Sequence, residues 1–223
     1  MKIAFIPVRG GSKSIPRKNI KLFCGKPLIW WNLVQLQKCP IIDEVVVATD
    51  DPEIRDVSLS FGFSKVKIYM RDEENARDVS STESVILEYL SKNSYHDEDL
   101  FILVQATSPF TRDDDFEKAY EQLLNEEADS LLSTTRFKRF IWSEDGRPLN
   151  YDFMLRPRRQ DFSGLLVENG SFYMAKVRAV IENKNRLNGK ITTYVMEDPC
   201  TSIEIDDDED WIIAEALMNK KMI

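Results

Sequence analysis

The chain has 223 residues, of which 43% are hydrophobic and 30% are charged, and its formal net charge is −8. This composition is ordinary for one α/β domain, and the acidic balance argues against nucleic acid as a partner. No apolar run approaches the roughly 20 residues that a membrane span needs, so no membrane association is expected. The short apolar start, 1–7, predicts a first strand rather than a signal peptide, which makes the cytoplasm the expected location.

Histidine and cysteine usage excludes several kinds of site. His96 is the only histidine, which excludes a multi-histidine metal site and argues against a Ser-His-Asp triad. Cys24, Cys39 and Cys200 are scattered and show no CxxC spacing. We therefore expect reduced cysteines that pack within the fold, rather than disulfides or a zinc ribbon.

Buried-strand patterns and amphipathic-helix patterns alternate along the chain. The predicted strands are 3–8, 45–48, 66–69, 100–104, 130–134, 171–174 and 191–196, and the predicted helices are 28–39, 52–61, 80–92, 113–124 and 208–220. This alternation predicts an α/β fold, a three-layer αβα sandwich with a mostly parallel central sheet, formed by 1–223 as a single domain. The irregular stretch 136–168, rich in arginine, proline and aromatic residues, is interpreted as a protruding flap or dimerisation arm. Ligands of such sheets bind beyond the carboxyl ends of strands, so the site is expected after Val8, Ala48, Tyr69 and Val104.

The segment after the first strand combines glycines with basic side chains. Gly10 and Gly11 would let backbone amides approach a phosphate, Ser12 adds a hydroxyl, and three basic residues add positive charge: Arg9, Lys13 and Lys18. The segment is neither a Walker loop nor a GxGxxG dinucleotide fingerprint. A solvated basic turn is the alternative, but so much positive charge directly after a buried strand of an acidic chain favours a small polyanionic ligand.

These residues carry a resemblance to a known family. The arrangement Arg9-x-Gly11-Ser12-Lys13-x-x-Pro16-x-Lys18-Asn19 resembles the opening signature of acylneuraminate cytidylyltransferases, the CMP-sialic acid synthetases. Further segments similar to that family follow in order: 25–28, 49–51, Arg71, 78–81, 105–109, 158–161, 168–173 and the acidic run 204–210. Ordered matches over nearly the whole chain are far more specific than any one motif.

The resemblance implies a Rossmann-like nucleotidyltransferase fold, CTP and an acidic sugar as substrates, Mg²⁺ as cofactor and a homodimer as assembly. By resemblance, the nucleotide-binding residues are Arg9, Gly11, Ser12, Lys13, Lys18, Asn19, Arg71 and Ser81. The sugar-binding residues are Gln105, Thr107, Ser108, Arg158, Asn169 and Tyr173, with at least one arginine of 156–159 facing an active site, its own or a neighbour's. The expected catalytic residues are Arg9, Lys13, Lys18 and Asp206, and the metal is expected at Asp206 and Glu204.

The acidic segment departs from the family pattern. Where the family typically has two aspartates separated by one residue, this chain has Glu204-Ile205-Asp206. Alternation in an extended segment puts Glu204 and Asp206 on one side, so a paired oxygen-ligand site is retained. Val167 also stands where some relatives have a basic residue, and the choice among sugars is left open.

The predicted function is transfer of CMP from CTP to the anomeric hydroxyl of an acidic 2-keto nine-carbon sugar, with release of pyrophosphate. N-acetylneuraminate, its deaminated analogue, legionaminate and pseudaminate all stay open as the sugar. An eight-carbon keto-deoxy sugar acid is the nearest alternative, whereas Gln105-x-Thr107-Ser108 and Asn169-Gly170 argue against a sugar phosphate. A non-catalytic nucleotide-binding module is the alternative from another class. The feature that favours it is Glu204, which stands where the family typically has an aspartate. A dehydrogenase is disfavoured because no dinucleotide fingerprint is present.

Overall fold

The computed structural model describes residues 1–76 and 80–222. Within these ranges the strands are Lys2–Pro7 (β1), Leu22–Phe23 (β2), Lys26–Pro27 (β3), Glu44–Thr49 (β4), Val66–Met70 (β5), Leu100–Val104 (β6), Ser130–Phe137 (β7), Leu165–Lys176 (β8) and Ile191–Val195 (β9). The α-helices of the same ranges are Leu28–Lys38 (α1), Pro52–Ser60 (α2), Thr82–Lys92 (α3), Asp113–Asn125 (α4), Val177–Asn183 (α5) and Asp208–Met222 (α6). None of these helices has both the length and the apolar character required to cross a bilayer.

Seven strands form the central sheet in the order β5-β4-β1-β6-β8-β7-β9, while β2 and β3 form a separate antiparallel pair. The strands from β5 to β6 pair in parallel, as do β7 and β9. β8 runs antiparallel to both of its neighbours, β6 and β7. The prediction of a mostly parallel sheet is confirmed, and β8 is the strand that departs from it.

Side-chain alternation along the strands produces the layers. In β1, Ala4 and Ile6 pack in a core with residues of α1 and α4, whereas Ile3 and Phe5 pack in a second core with residues of α3 and α5. Successive side chains of a strand point to opposite faces, so a strand that is apolar throughout is covered on both sides. The predicted three-layer αβα sandwich is confirmed.

A third core joins the two ends of the chain. Ile15 and Phe23, which follow β1, are fully buried against Ile205 and against Trp211 of α6. The Phe23 and Trp211 rings meet edge to face, with 5.5 Å between their centroids. This core holds the basic loop after β1 beside the acidic segment before α6.

Local caps explain where two of the helices begin. Asp51 accepts hydrogen bonds from Glu53 N and Ile54 N at 2.8 and 3.1 Å, so α2 starts at Pro52 as predicted. Ser81 accepts from Ser84 N at 3.0 Å and is the cap of α3, whose first helical residue is therefore Thr82 and not residue 80. Helix α5 was not predicted.

The irregular stretch 136–168 is shorter in the structure than in the prediction, because its two ends belong to β7 and β8. Between these strands Phe140 packs on Tyr151 and Phe162, with ring centroids 4.2 and 4.8 Å apart. The same stretch leaves large apolar side chains in solvent, with Met154 75% and Leu155 79% exposed. A small aromatic cluster thus supports an apolar outer surface, which we call the arm (residues 138–164).

Candidate active site

The basic loop after β1 is anchored through its backbone. Val8 N donates to Ala48 O at 2.9 Å, and Gly10 N donates to Asp50 Oδ1 at 3.1 Å. At the far end of the loop, Asn19 Nδ2 donates to Arg9 O at 3.3 Å. The first two bonds tie the loop to the carboxyl end of β4, at the edge of the sheet where ligands of such folds bind, and the third joins the two ends of the loop.

A cleft of about 470 Å³ opens above this loop, and we call it the nucleotide cavity. Most of the residues predicted to bind the nucleotide line it: Arg9, Ser12, Lys13, Lys18, Asn19, Arg71 and Ser81. Gly11 lies within the same loop, and a Cβ atom added to it would meet nothing within 4 Å. Asp78, part of the resembling segment 78–81, lies outside the described residues.

Arg71, which directly follows β5, also lines the nucleotide cavity. Its Nε donates to Ala48 O and its backbone N donates to Thr49 O, both at 2.9 Å. Both acceptors lie at the carboxyl end of β4, so the guanidinium is fixed to the sheet rather than to a loop.

The acidic segment meets the basic loop directly. Lys18 Nζ donates to Ile205 O at 2.7 Å and lies 3.2 Å from Asp206 Oδ1. Ser14 Oγ also donates to Asp206 O. Asp206 lines the nucleotide cavity together with Lys13, so a carboxylate and the cationic loop face one space.

A second cleft, of about 510 Å³, adjoins the first, and we call it the sugar cavity after the ligand that the family resemblance implies. It is lined by Glu83, Gln105, Glu168, Gly170, Tyr173, Asn185, Arg186, Leu187 and Glu204. Gln105 lines both cavities, and Thr107 lines the nucleotide cavity beside it. The two spaces therefore meet at Gln105.

Glu204 lies at this junction. Thr107 Oγ1 donates to Glu204 Oε1 at 3.2 Å. Burial raises the pKa of Glu204 above its usual value, and the nearby negative charge of Asp206 adds to the effect. A Cβ atom added to Gly170 would lie 3.0 Å from Glu204 Oε2 and 3.2 Å from Gln105 Nε2. Because Gly170 has no Cβ atom, the side chains of Glu204 and Gln105 can lie this close to its backbone.

Three of the predicted sugar-binding residues line neither cavity of this chain. Ser108 is buried, with 2% of its surface exposed. Asn169 is also buried, and its amide is fully used within the protein. Its Oδ1 accepts from Ser133 Oγ at 2.7 Å, and its Nδ2 donates to Thr201 O at 2.9 Å. Arg158 lies on the arm, where its Nε is 2.7 Å from Asp161 Oδ2. Asn169 and Ser108 therefore lie in the protein interior, and Arg158 is not part of the lining of either cleft.

Some residues of the sugar cavity had no signal in the sequence. Arg186 Nε donates to Glu83 Oε1 at 2.6 Å, and the Arg186 guanidinium carbon lies 4.8 Å from the centroid of the Tyr173 ring. Tyr173 OH in turn donates to Glu168. Arg186 comes from the connection after α5, which carries no motif, whereas Glu168 stands directly before the Asn-Gly pair of a resembling segment.

Two solved nucleotidyltransferases share the fold of this chain. A solved CMP:2-keto-3-deoxy-manno-octonic acid synthetase complexed with CTP matches with a TM-score of 0.69 at 20% identity, over 99% of each chain. A 4-diphosphocytidyl-2C-methyl-D-erythritol synthase from Anaerococcus prevotii matches with a TM-score of 0.69 at 17% identity, over 98% of this chain and 96% of that one. At these identities the likeness establishes the fold alone.

The chain belongs to the cytidylyltransferase family, whose sequence model matches residues 3–222. It is 39% identical to N-acylneuraminate cytidylyltransferase A of Danio rerio, over 95% of this chain and 49% of that protein, so it spans about half the length of this relative. It is 33% identical to a pseudaminic acid cytidylyltransferase of Campylobacter jejuni, over 81% of this chain and 80% of the relative. It is 30% identical to the CMP-N,N'-diacetyllegionaminic acid synthase of Legionella pneumophila, over 97% of this chain and 95% of the relative. The family named from sequence motifs is confirmed.

Proposed function

We propose that this chain transfers CMP from CTP to the anomeric hydroxyl of an acidic 2-keto nine-carbon sugar and releases pyrophosphate. The observation that carries the proposal is the junction of the two clefts at Gln105, beside the contact of Lys18 with Asp206. One cleft is lined by cationic groups suited to a triphosphate, and the other by polar groups suited to a sugar. The relatives named above support the nine-carbon class, since three of them act on sialic, pseudaminic or legionaminic acids by name.

The protein's part in this reaction is positioning and charge stabilisation. A bond forms between the anomeric oxygen and the α-phosphorus, and the bond from that phosphorus to the oxygen that bridges it to the β-phosphate breaks. Pyrophosphate leaves, and the proton of the hydroxyl is released to solvent. Arg9, Lys13 and Lys18 hold the triphosphate and neutralise the leaving pyrophosphate. Gln105 and Thr107, at the junction, orient the hydroxyl against the phosphorus.

The donor set at Glu204 and Asp206 fits Mg²⁺. Both residues supply carboxylate oxygens, and they stand on either side of the buried Ile205 in the sequence. The Asp206 side chain is 69% exposed and lines the nucleotide cavity. Mg²⁺ commonly takes one or two carboxylates and fills its remaining positions with substrate phosphates and water. When bound, the ion would neutralise charge on the phosphate oxygens.

A homodimer in which the arm of one copy completes the site of the other is part of the proposal. Glu83, Glu168 and Glu204 line the sugar cavity, and Arg186 is its one cationic side chain among the described residues. An acidic sugar needs additional positive charge there. Arg158 on the arm supplies such a charge, and the exposed apolar side chains around Leu155 suit contact with a second copy.

The cytoplasm stays the proposed location, since the three cysteines are free thiols and that compartment keeps thiols reduced.

The test is product identification. The chain is incubated with CTP, Mg²⁺ and a panel of nine-carbon and eight-carbon keto sugar acids, and the products are identified by mass spectrometry alongside pyrophosphate release. A CMP conjugate of a nine-carbon acid is expected. A conjugate of the eight-carbon acid alone would contradict the substrate class, and CTP binding without pyrophosphate release would identify a non-catalytic nucleotide-binding protein.

A further inference from the structure

The nucleotide cavity has a wall that the phosphate-binding residues do not explain. Asn75 and Ser81 line it from the connection between β5 and α3. In the sheet order β5-β4-β1, this connection is two strands away from the basic loop after β1. At about 4.8 Å per strand, the separation is roughly 10 Å, which suits a base bound at one wall and phosphates bound at the other.

The orientation of the Asn75 amide is fixed from behind by helix α3. Asn75 Nδ2 donates to Glu88 Oε2 at 2.5 Å and lies 3.5 Å from Ser84 O. A backbone carbonyl and a carboxylate are both acceptors, so only the nitrogen of the amide can face them. The oxygen, Oδ1, is therefore directed to the other side of the side chain.

Glu88 is a rigid anchor for this amide. Its side chain is 7% exposed, and it also accepts from Tyr69 OH, from Asp72 N at 3.0 Å and from Lys92 Nζ at 3.5 Å. Burial acts to raise the pKa of Glu88, but the hydrogen bonds, first those from Tyr69 and Asn75, outweigh it and hold the pKa below its usual value. An ionised carboxylate can only accept hydrogen bonds, so it prevents a rotation that would exchange the oxygen and the nitrogen of the Asn75 amide.

We propose that Asn75 Oδ1 accepts a hydrogen bond from the exocyclic amino group of cytosine, and that the Glu88-anchored amide thereby selects CTP over UTP. This inference rests on the proposed function and adds the residue that reads the base. Cytosine carries an amino donor at the position where uracil carries a carbonyl acceptor. Two acceptors would face each other if UTP were bound, and Asn75 could not exchange its oxygen for its nitrogen without breaking its bond to Glu88.

The test compares CTP and UTP in two measurements: kcat/KM with one sugar acid, and binding affinity by calorimetry without sugar. The wild-type chain is expected to prefer CTP by about tenfold or more in both. Asn75→Leu removes the acceptor and reduces this ratio about tenfold. Glu88→Gln frees the amide to turn over, so the affinity for UTP rises while that for CTP falls.

Tyr69→Phe is the matched control, because it removes one hydrogen bond from Glu88 without touching Asn75. It is expected to lower thermal stability as Glu88→Gln does, and to leave the CTP to UTP ratio unchanged. The inference is overturned if Asn75→Leu and Glu88→Gln both keep the ratio within about twofold of wild type. Failure of the proposed function gives a different result, namely no transfer of CMP to any sugar acid by the wild-type chain while the calorimetric preference is still measured.

Discussion

Lys18 Nζ lies 3.2 Å from Asp206 Oδ1, although the two residues are 188 positions apart in the chain. The same ammonium donates to Ile205 O at 2.7 Å, and the Lys18 side chain is only 11% exposed. A buried cation that binds a backbone carbonyl next to a carboxylate holds two distant segments together and keeps positive charge in the cleft. Lys18 is therefore expected to serve both stability and catalysis, and the exposed Lys13 is expected to serve catalysis.

Replacement of Lys13 by alanine tests the catalytic part. Lys13 lines the nucleotide cavity and is exposed, so its loss should remove most turnover and leave the fold intact. We expect kcat to fall by about 10²–10³, the usual cost of one lost donor to developing charge. Steady-state rates at saturating CTP measure this, and Lys26→Ala, an exposed lysine outside the cleft lining, is the control. A Lys13→Ala rate within about tenfold of wild type would contradict the assignment.

Replacement of Lys18 by methionine tests the double role. The variant keeps the aliphatic stem and loses the charged donor to Ile205 O, so the free energy of unfolding should fall by about 1–3 kcal/mol. Turnover should fall at least as far as in Lys13→Ala. Urea denaturation, followed by circular dichroism, gives the stability. If the Lys18→Met variant unfolds at the same urea concentration as wild type, the contact with the acidic segment does not hold the fold together.

Gly170→Ala tests the junction of the two cavities. Gly170 has φ of +67°, and an added Cβ atom would lie 3.0 Å from Glu204 Oε2 and 3.2 Å from Gln105 Nε2. We expect the sugar KM to rise between about tenfold and a hundredfold because Glu204 and Gln105 must move, while the KM for CTP changes little. Gly62→Ala is the matched control, since Gly62 has the same φ of +67° but no atom within 4 Å of the added Cβ. Equal kinetic effects of both substitutions would show that backbone strain, and not the contact, is responsible.

The pH dependence of stability tests the Glu88 anchor. Hydrogen bonds, led by that from Tyr69, outweigh burial and put the folded pKa of Glu88 below its ordinary value of 4.5. A depressed carboxylate pKa stabilises the fold above the unfolded pKa, and this contribution is lost as the pH falls through the folded pKa. Glu88→Gln should therefore cost about 1–3 kcal/mol near neutral pH, and the difference from wild type should shrink below pH 4.5. A difference that stays constant from pH 7 to about pH 3 would contradict this account.

Mixing two inactive variants tests the shared site. If the arm of one copy completes the cleft of the other, Lys13→Ala and Arg158→Ala copies form a mixed dimer with one intact site. Random assortment of equal amounts should then restore roughly a quarter of wild-type activity. Co-expression followed by rate measurement checks this, with Leu155→Asp as the variant expected to be monomeric in light scattering. No recovery in a mixture that is shown to be dimeric would exclude a shared Arg158.

The sequence was a good guide wherever one local interaction decides the structure. Val45, Val46 and Val47 predicted a strand because β-branched side chains fit a pleated surface, and Pro52 after Asp51 predicted a helix start. Helix α5 was missed because it follows β8 directly and because its cap, Lys176, makes no side-chain capping bond. No boundary signal separates these two elements.

The two adjacent glycines show a further limit of sequence reading. Gly10 and Gly11 were given one reason, the approach of a phosphate. In the structure a methyl group at Gly10 would lie 2.9 Å from Asp51 Cβ, whereas one at Gly11 would meet open space. Gly10 is therefore required by packing against the start of α2, and only Gly11 has space for a side chain.

The sequence predicted cavity-lining residues best where charged side chains are concentrated, and least well where burial determines the contacts of a side chain. Asn169 was assigned to the sugar because it belongs to a resembling motif, yet its amide is occupied by Ser133 and Thr201. The contact of Asn75 with Glu88 spans 13 residues and depends on how α3 packs beside the segment that contains Asn75. Such contacts follow from the packed fold and not from any short pattern.

The reversed direction of β8 determines which part of the sugar cavity is stiff. Since Val104 pairs with Phe172, the residues before Phe172 lie at the edge beyond β6. Glu168 reaches the cleft from a position that is paired with Thr134 of β7, whereas Gly170 lies at an irregularity of this pairing. Backbone amides in a paired strand exchange slowly with deuterium, and ordering them again on binding costs little entropy. In the proposed reaction the acceptor sugar would therefore meet, at Glu168, a surface whose shape exists before the ligand arrives, and selectivity there would depend on fit rather than on closure.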